Sequence, residues 1–558
     1  MKNIVIELIK KESKLKKEEI ESLIEIPPNS ELGDFSFPCF KLSSILKKSP
    51  QIISQELAKK IKLPEEIEKL ESKGAYLNFF VNKKILAETI LKQIDEEFGK
   101  SQEGKGQKIA IDFSGPNIGK PMHIGHIRST IIGDSLIRIY NFLGYKTIGI
   151  NYLGDIGLHI GKLIVAWELW LDKTALKQNP VQELLRLYVK FCDAEKTEFQ
   201  EGLEEEFQEN EWTNKAKEKL LLLEKGDEKT HKIWQEITKS SKKGFDQVYE
   251  MLNVNFHETT GQSLFSEKGK KIIAEAQKKA LAITEDGAIY TELGKLGKKY
   301  ILRSNQTASY ITQDIGSAVE RYKKYNFDRM IYVTDFRQEL HFKQLFAILN
   351  KFGYDFSSRL MHVPFGTVNF GNEIIATRTG KIILLEDVLK KTIEKAKEEI
   401  KRRKTKGDAE KIGIGAVKYT VLKNEPRRDV NFSWEQALNF EGNTGPYLQY
   451  SYARASSILK KAKKTGKIKI LSLHEKEVEL IKKLSEFPKV VMEAKNHLNP
   501  SLIANYSFEL CQCFNEFYQN CQVIGSSEEA QRLILVDSFR KILKNSLFLL
   551  GIEVMEEM

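Results

Sequence analysis

Cysteine is scarce in this chain, and no paired cysteine motif is present. The five cysteines are scattered and form no CxxC pair: Cys39, Cys192, Cys511, Cys513 and Cys521. This usage predicts neither a disulfide framework nor a structural zinc site, and it favours a reducing compartment. No apolar run approaches the ~20 residues needed to cross a bilayer. Because the N-terminal segment also lacks a small-residue cleavage site, the sequence predicts a cytoplasmic protein without a membrane span.

Positive charge, by contrast, is in excess. The 558 residues include 88 Lys and Arg against 77 Asp and Glu, which gives a formal net charge of +11. A basic excess suits a polyanionic partner, because neutralising phosphates releases condensed counterions. Lysine-rich helices that only keep a protein in solution would produce the same excess, so charge alone does not decide between the two. The length exceeds one ordinary core and predicts two to four domains.

The pattern of predicted elements divides the chain into three domains and a linker. Residues 1–96 predict an amphipathic helix followed by helix, strand and helix, and 97–107 are a polar, Gly-rich linker. Residues 108–430 alternate strands with helices, which is typical of a doubly wound parallel α/β sheet. Residues 431–558 show 3.6-residue periodicity throughout and predict an all-α helical bundle. The predicted fold class is α/β, with an N-terminal α+β domain and a C-terminal helical domain.

Three strands define the predicted core sheet. They are IAIDFS from Ile109, KTIGINYLGD (146–155) and RMIYVTDF (329–336), and helices follow at about 122–143 and 339–352. Between the second and third strands, about 165–300, a Lys/Glu-rich helical segment and a small β-rich part predict an insertion.

The run KIAIDFSGPNIGKPMHIGHIRST joins the first strand to its helix and contains two histidines three residues apart. Ligands of parallel α/β sheets bind at the carboxyl ends of strands, where helix N-termini offer free N–H groups to anions. We expect His123 and His126 to lie on one face of the first helical turns. Gly125 has no Cβ and lets a flat ligand approach the backbone. Lys120 adds a mobile positive charge nearby.

A metal site and a packed core are also compatible with the histidine pair. A metal site would need a third ligand, and the neighbouring sequence offers no Cys or Glu for it. Two histidines that are satisfied within a packed core would give the same spacing. Nucleotide binding agrees best with the position, the glycine and the lysine.

The run DFSGPNIGKPMHIGHIRSTIIGD resembles arginyl-tRNA synthetases, in which HIGH is the first ATP-binding motif of class I synthetases. The resemblance recurs at NYLGDIG, SYITQDIG, RMIYVTDFRQELHFKQLFAIL, FEGNTGPYLQYSYAR and FNEFYQNCQVI, and more faintly at ELGDFSFPCF. It implies a Rossmann-like catalytic domain, an N-terminal domain that contacts tRNA and a C-terminal anticodon-binding domain. It also implies ligation of L-arginine to tRNA(Arg) through an arginyl-adenylate, with ATP and Mg²⁺ as a substrate complex. We expect a monomer without a protein-bound structural metal.

A guanidinium has a fixed charge and five fixed donors, so its pocket needs planar acceptors. The resemblance implies that Tyr310 and Asp314 hold this group together with Asp112, and that Asn117 and Gln338 bind the amino-acid backbone. The full set implied for arginine is Asp112, Ser114, Asn117, Tyr310, Asp314 and Gln338. Without the resemblance, a helix N-cap would account for Asp314 equally well.

The second class I motif, KMSKS, is altered here. ATRTG (376–380) stands at its position, and no lysine occupies 376 or 379. The resemblance implies that Arg378 and Lys120 supply the missing charge, so the implied catalytic set is His123, His126, Lys120 and Arg378. The implied ATP-binding set is Gly125, His123, His126, His341, Thr377 and Gly380. These groups would position the phosphates and stabilise charge without a covalent intermediate on the protein.

Tyr447, Tyr450 and Arg454 follow one another at helical spacing in PYLQYSYAR and could stack unpaired bases of tRNA, although aromatic stripes of this kind more often pack in a core. Two different functions are compatible with parts of the pattern. Another HIGH-bearing transferase is disfavoured, because a cysteinyl enzyme would need zinc-ligand cysteines and small adenylyltransferases lack the helical domain. A catalytically inactive RNA-binding relative is favoured only by the altered KMSKS segment.

Overall fold

The computed structural model describes residues 1–13, 15–197, 210–370, 383–462, 470 and 472–558. These residues form two compact units. The first comprises Met1–Phe98, Ala455–Glu486 and Leu510–Ile542, and the second comprises Gly99–Arg454, Phe487–Glu509 and Leu543–Met558. No helix in the described ranges is both long and apolar enough to cross a membrane.

In the first unit, helices surround a three-stranded antiparallel sheet of order β1-β3-β2. Its elements between Met1 and Phe98 are α1 (Lys2–Glu12), α2 (Lys17–Leu23), β1 (Phe35–Pro38), α3 (Phe40–Leu46), α4 (Pro50–Lys60), β2 (Ile67–Lys73), β3 (Tyr76–Val81) and α5 (Lys83–Gln93). The sequence predicts one strand between two helices, and this prediction is wrong, because two strands, β2 and β3, lie between α4 and α5. Gly74 adopts a positive φ of 62° and turns β2 back onto β3, so the segment is a hairpin.

The second unit contains a five-stranded parallel sheet of order β11-β10-β4-β5-β6. The chain runs from β4 (Lys108–Asp112) through α6 (His126–Phe142) to β5 (Lys146–Leu153) and later to β6 (Glu258–Gly261). It then crosses to the other side of β4 with β10 (Arg329–Asp335) and β11 (Leu360–Phe365). The three predicted core strands are confirmed, and β6 and β11 were not predicted. The change of direction beside β4 is the topological switch point at which ligands of such sheets bind.

The helices and small strands that follow β5 cover residues 158–302. They are α7 (Leu158–Trp170), α8 (Lys173–Gln178), α9 (Pro180–Lys196), α10 (Glu211–Glu224), α11 (Glu228–Met251), α12 (Ser266–Lys278), β7 (Ile283–Glu285), β8 (Ala288–Glu292) and β9 (Lys298–Leu302). The strands β7, β8 and β9 form a separate antiparallel sheet, as the β-rich pattern indicated. The predicted insertion therefore includes β6, a strand of the main sheet.

Helix α13 (Tyr310–Tyr325) leads into β10, and α14 (Glu339–Lys351) follows it. Ser309 caps α13, because its hydroxyl and that of Thr312 satisfy the first free backbone N–H groups. Buried apolar residues of both helices pack with β4 and β10 in one core cluster, for example Ile315, Met330 and Leu345. This packing holds the ends of β4 and β10 in place, and these ends carry the predicted site residues.

The remaining elements are predominantly helical. They are β12 (Val368–Phe370), α15 (Leu385–Arg403), α16 (Ala409–Leu422), β13 (Val430–Phe432), α17 (Trp434–Ala437), α18 (Gly445–Lys461), α19 (Glu475–Ser485), α20 (Phe487–His497), α21 (Ser501–Asn520) and α22 (Glu529–Leu549). The prediction of helices up to the C-terminus is confirmed for the described residues after β13. The short strands β12 and β13 pair in parallel with each other.

Candidate active site

A cavity of about 370 Å³ opens where β4 and β10 end. Nine predicted site residues line it: Asp112, Ser114, Asn117, His123, Gly125, His126, Tyr310, Asp314 and Gln338. They come from β4, the turn after it, the start of α6, the start of α13 and the residue before α14. Residues far apart in the sequence thus meet at the switch point of the sheet.

His123 and His126 lie side by side, with ring centroids 4.0 Å apart. The expectation that both belong to the first helical turns is wrong in detail, because α6 begins at His126 and His123 precedes it. The backbone N–H of His123 donates to Nδ1 of His126, and the N–H of Gly125 donates to Nδ1 of His123. The donor–acceptor distance is 3.1 Å in both bonds. We therefore assign the Nε2–H tautomer to both rings, which leaves each with one donor for a ligand.

Both histidines are neutral at physiological pH. Burial, reinforced by the charges of Lys120 and Arg337, lowers the pKa of His123 to about 4. Burial and the neighbouring His123 lower the pKa of His126 to about 3. The pair consequently offers two neutral N–H donors, which can stabilise charge on a phosphate without a change in their own protonation.

We expect the protein to lose stability when the pH falls from 6.5 to 5. Burial also lowers the pKa of His159 and His362 to about 4, so four histidines bind protons more readily in the unfolded chain than in the native protein. Each such proton lowers the free energy of unfolding by up to ~1.4 kcal/mol per pH unit. Urea unfolding at a series of pH values measures the slope.

The variant His362→Gln provides the control for this slope. His362 bonds to the Thr334 hydroxyl and stacks on Phe342, and it does not line the cavity. Its replacement should reduce the pH dependence by about one proton. Equal stability of the wild-type protein at pH 6.5 and 5 would contradict the assignment of neutral histidines.

Asp314 lies inside α13 and is buried, with 7% of its surface exposed. It is not the N-cap of this helix, because the cap is Ser309. Nε2 of His341 lies 2.6 Å from Oδ2 of Asp314, and the ring of Tyr310 lies 5.3 Å from that of His341. His341, predicted for ATP, thus contacts the carboxylate predicted for arginine. Asp314 and the half-exposed Tyr310 form an acidic and aromatic end of the cavity that suits a planar cation.

Asp112 is already paired within the protein. Nη1 of Arg321 lies 2.7 Å from its Oδ2, and both side chains are buried. The guanidinium of Arg321 also stacks on the ring of Tyr152 at 4.6 Å. Burial raises the pKa of Asp112 and the charge of Arg321 opposes that shift. No sequence pattern indicated this pair, because its members lie on different elements far apart in the chain.

The turn after β4 is held in place by hydrogen bonds between Ser114 and hydroxyl groups of other elements. Ser114 has a positive φ of 73°, which is uncommon for a residue with a Cβ. Its N–H donates to the Ser129 hydroxyl at 2.8 Å, and its hydroxyl bonds to that of Tyr249 at 2.8 Å and accepts from Thr130 at 3.0 Å. Ser114 therefore fixes the turn that presents Asn117, and its predicted contact with arginine stays a prediction.

Lys120 points away from the main cavity. Its ammonium lies 4.5 Å from the centre of the Tyr188 ring on α9, and it lines a small neighbouring cavity. Burial lowers the pKa of Lys120. The lysine must leave the aromatic ring before it can contact a phosphate in the main cavity.

Thr377, Arg378 and Gly380 lie outside the described residues. The chain on both sides of their segment is close to the cavity, however. Thr367 and Val368 line it at the start of β12, and beyond the segment the N–H of Ile124 donates to the carbonyl of Ile383 at 3.2 Å. The described residues on both sides of 371–382 thus lie beside the cavity or the histidine motif.

Arg128 was not predicted, although it lies in the quoted motif. It is fully buried and donates through Nη2 to the carbonyls of Glu425, Pro426 and Arg428. The carbonyl of Pro426 also accepts from the N–H of Gly366, which lines the cavity. Arg128 therefore ties α6 to a wall of the site. Its position in the first turn of α6 was the only available signal.

The predicted RNA residues lie on α18 and are partly buried. The Tyr447 ring packs on Phe508 at 5.7 Å, and the guanidinium of Arg454 stacks on Tyr450 at 4.8 Å. Tyr452 lies on a different face of α18 and is buried. A role in RNA binding stays a prediction. Among the described residues, no three His, Cys, Asp or Glu side chains are grouped to hold a metal ion.

Three family models match the chain. They are the class I (R) tRNA synthetase catalytic domain over residues 87–434, the DALR anticodon-binding domain over 448–558 and the arginyl-tRNA synthetase N-terminal domain over 1–81. The chain belongs to the arginyl-tRNA synthetase family. Charging tRNA(Arg) with arginine, in an ATP-dependent reaction, is the function of this enzyme class.

Relatives match over their whole length. An arginine–tRNA ligase of Clostridium perfringens is 40% identical over 574 residues, with 100% of both chains covered. One of Halothermothrix orenii is 41% identical over 574 residues, with 100% of this chain and 99% of the relative covered. The match at these levels confirms the enzyme class that the resemblance implied.

Solved structures agree in fold. The arginyl-tRNA synthetase of Thermus thermophilus has a TM-score of 0.79 at 24% identity and covers 96% of each chain. That of Plasmodium falciparum has a TM-score of 0.76 at 26% identity and covers 96% of this chain and 94% of the other. The parallel sheet, the N-terminal domain and the helical C-terminal domain thus form the architecture of this family.

Proposed function

We propose that the cavity forms arginyl-adenylate from arginine and Mg·ATP and then passes the arginyl group to the 3′ end of tRNA(Arg). The arginine carboxylate attacks the α-phosphorus of ATP in line, the bond to pyrophosphate breaks, and pyrophosphate leaves with Mg²⁺ on its oxygens. A hydroxyl of the terminal tRNA ribose then attacks the arginyl carbonyl, and AMP leaves. The observation that carries this proposal is one cavity with an acidic end and a histidine end.

At the acidic end, Asp314 and Tyr310 receive the guanidinium. Asp314 is buried, so its attraction for a cation is screened little by water. Asn117 and Gln338 line the same cavity and offer amide groups to the α-amino and carboxylate groups. Asp112 and Ser114, also predicted for arginine, line the same cavity, but each is already bonded within the protein and neither is assigned a direct contact with arginine.

At the histidine end, His123 and His126 donate to phosphate oxygens from Nε2. Gly125 lets the His123 ring pack against the backbone, because a Cβ there would lie 2.8 Å from that ring, and the nucleotide is proposed to lie beside it. Arg378, Thr377 and Gly380 are proposed to meet the departing pyrophosphate, which is supported by the position of Thr367, Val368 and Ile383, the described residues on either side of their segment. His341 would act on ATP only indirectly, since its ring is bonded to Asp314.

We also propose domain boundaries, an oligomeric state, a cellular location and tRNA contacts for this enzyme. We propose domain boundaries at residues 96, 107 and 430, a monomeric enzyme and a cytoplasmic location. Tyr447, Tyr450 and Arg454 are proposed to contact the tRNA, which is supported by their partial exposure on one face of α18.

We expect Lys120→Met to lower kcat for arginine activation by about 10–100-fold, because a positive charge near the phosphates stabilises the transition state. Lys120→Arg should retain part of the activity. Tyr188→Phe is the matched control, since it keeps the ring face on which Lys120 lies and should leave kcat within about twofold. A Lys120→Met enzyme of normal kcat would show that Lys120 has no part in the step.

Arginine-dependent exchange of pyrophosphate into ATP tests the adenylate step. The wild-type protein should exchange with arginine, only in the presence of Mg²⁺, and the assay should be run with and without tRNA(Arg). Exchange only with tRNA would add an RNA requirement for activation. If the folded protein shows no exchange with or without tRNA(Arg), the adenylate proposal is refuted.

A further inference from the structure

We propose that Arg321 sets the charge of the arginine pocket. By compensating Asp112, it leaves Asp314 as the pocket carboxylate that has no lysine or arginine partner among the described residues, and the pocket then accepts one cation. This inference rests on the proposed function, because it concerns the same pocket. It assigns a specificity role to a residue that neither lines the cavity nor belongs to the quoted site motifs.

The geometry of α13 carries this inference. Asp314 and Arg321 lie two helical turns apart on the same helix and therefore on the same face. Arg321 is 3% exposed and lies behind Asp112, with Nη1 2.7 Å from Oδ2. Asp112 forms the floor of the cavity at the end of β4, and Arg321 supports it from behind.

The charges around this floor are few. Tyr310 on α13, Tyr152 on β5, Tyr332 on β10 and His341 on α14 surround the two carboxylates and Arg321. Apart from His341, which bonds to Asp314, the described groups of this floor comprise two carboxylates and one guanidinium, a net charge of −1. A side chain with one positive charge, the guanidinium of arginine, neutralises this site.

Two uncompensated carboxylates would make a different pocket. Like charges in a buried site favour protonation of one of them. Burial already raises the pKa of Asp112, and Asp314 raises it further, whereas Arg321 opposes both effects. Arg321 therefore keeps Asp112 ionised and held at the floor, and leaves Asp314 to the substrate. In this arrangement Arg321 is a positioning and specificity residue rather than a catalytic one.

Paired substitutions test the inference. Asp112→Asn leaves Arg321 uncompensated, brings the pocket to zero net charge and should raise the KM for arginine by at least about 30-fold. Adding Arg321→Gln restores a net charge of −1 with a neutral Asn–Gln pair. The double variant should therefore recover at least about tenfold in this KM relative to Asp112→Asn. The KM for ATP should stay unchanged in both.

The assay is arginine-dependent pyrophosphate exchange with the full-length protein and tRNA(Arg), with citrulline as the neutral analogue. Asp112→Asn should reduce the preference for arginine over citrulline, and the double variant should restore it. A double variant as defective for arginine as Asp112→Asn would overturn the inference, because Asp112 would then act on the substrate directly.

The inference can still be tested if Asp112→Asn fails to fold. A buried charge without its partner destabilises a protein strongly, so Asp112→Asn can fail to fold, whereas the double variant removes both members of the buried pair and leaves neither charge without its partner. In that event the double variant is compared with the wild type, and a folded double variant with a KM for arginine raised more than about 100-fold overturns the inference. A wild-type protein without exchange refutes the proposed function instead.

Discussion

Replacing Asp314 by Asn is expected to raise the KM for arginine by about 100–1,000-fold, with the KM for ATP changed less than about threefold. The substitution keeps the shape of the side chain and removes the carboxylate of the pocket that, among the described residues, bonds to His341 and has no lysine or arginine partner. Loss of one member of a buried charge pair costs about 3–5 kcal/mol. Steady-state kinetics of arginine activation at varied arginine and at varied ATP measures the two constants.

Glu320→Gln serves as the matched control, because it removes a carboxylate from the same helix. Glu320 pairs with Lys268 and Lys323 and does not line the cavity. Its arginine KM should stay within about twofold, since exposed pairs contribute little. If Asp314→Asn raised both KM values equally, the acidic end of the cavity would not be the arginine end.

His126→Ala is expected to lower kcat for arginine activation by about 100–1,000-fold. The ring donates from Nε2 to charge that develops on the phosphates, and the loss of one preorganised donor of this kind has an effect of that size. His126→Gln keeps an N–H donor on a side chain of similar reach and should lose less. Single-turnover formation of the adenylate separates this step from later ones.

The pH dependence of kcat tests whether His123 and His126 act as neutral donors. Because the pKa of His126 is lowered to about 3 and that of His123 to about 4, neither ring should titrate in kcat between pH 5.5 and 8. His362 is half-buried and does not line the cavity, so His362→Gln should leave kcat within about twofold at pH 7.5. A kcat that fell with a pKa near 6.5 and lost that dependence in His126→Ala would contradict the neutral tautomer.

Much of the fold was accessible from the sequence, since the signals were local. Strands β4, β5 and β10 are apolar runs bounded by turn residues, and the C-terminal helices show 3.6-residue periodicity. Strand β6 was missed because ETTG has four residues with little apolar character, and its place in the sheet depends on pairing with β5. The hairpin of β2 and β3 was missed because its turn has a single glycine between two short runs.

The site was accessible mainly through motifs. Contiguous motifs brought His123, His126, Asn117 and Asp314 into the prediction, and the switch point of the sheet brings them together. The partner of Asp112 could not be predicted, because Arg321 lies on α13 and no local pattern links the two residues. The same holds for Tyr188, whose contact with Lys120 depends on how α9 packs.

A crystal structure with a non-hydrolysable arginyl-adenylate analogue, arginyl-sulfamoyl-adenosine, would locate both substrates in the cavity at once. We expect the guanidinium within hydrogen-bond distance of Asp314, the adenosine over Gly125 and the sulfamoyl group beside His123 and His126. We also expect Arg321 to stay on Asp112 in the complex. A guanidinium bound elsewhere, or an adenosine at the acidic end of the cavity, would refute the assignment of the two ends.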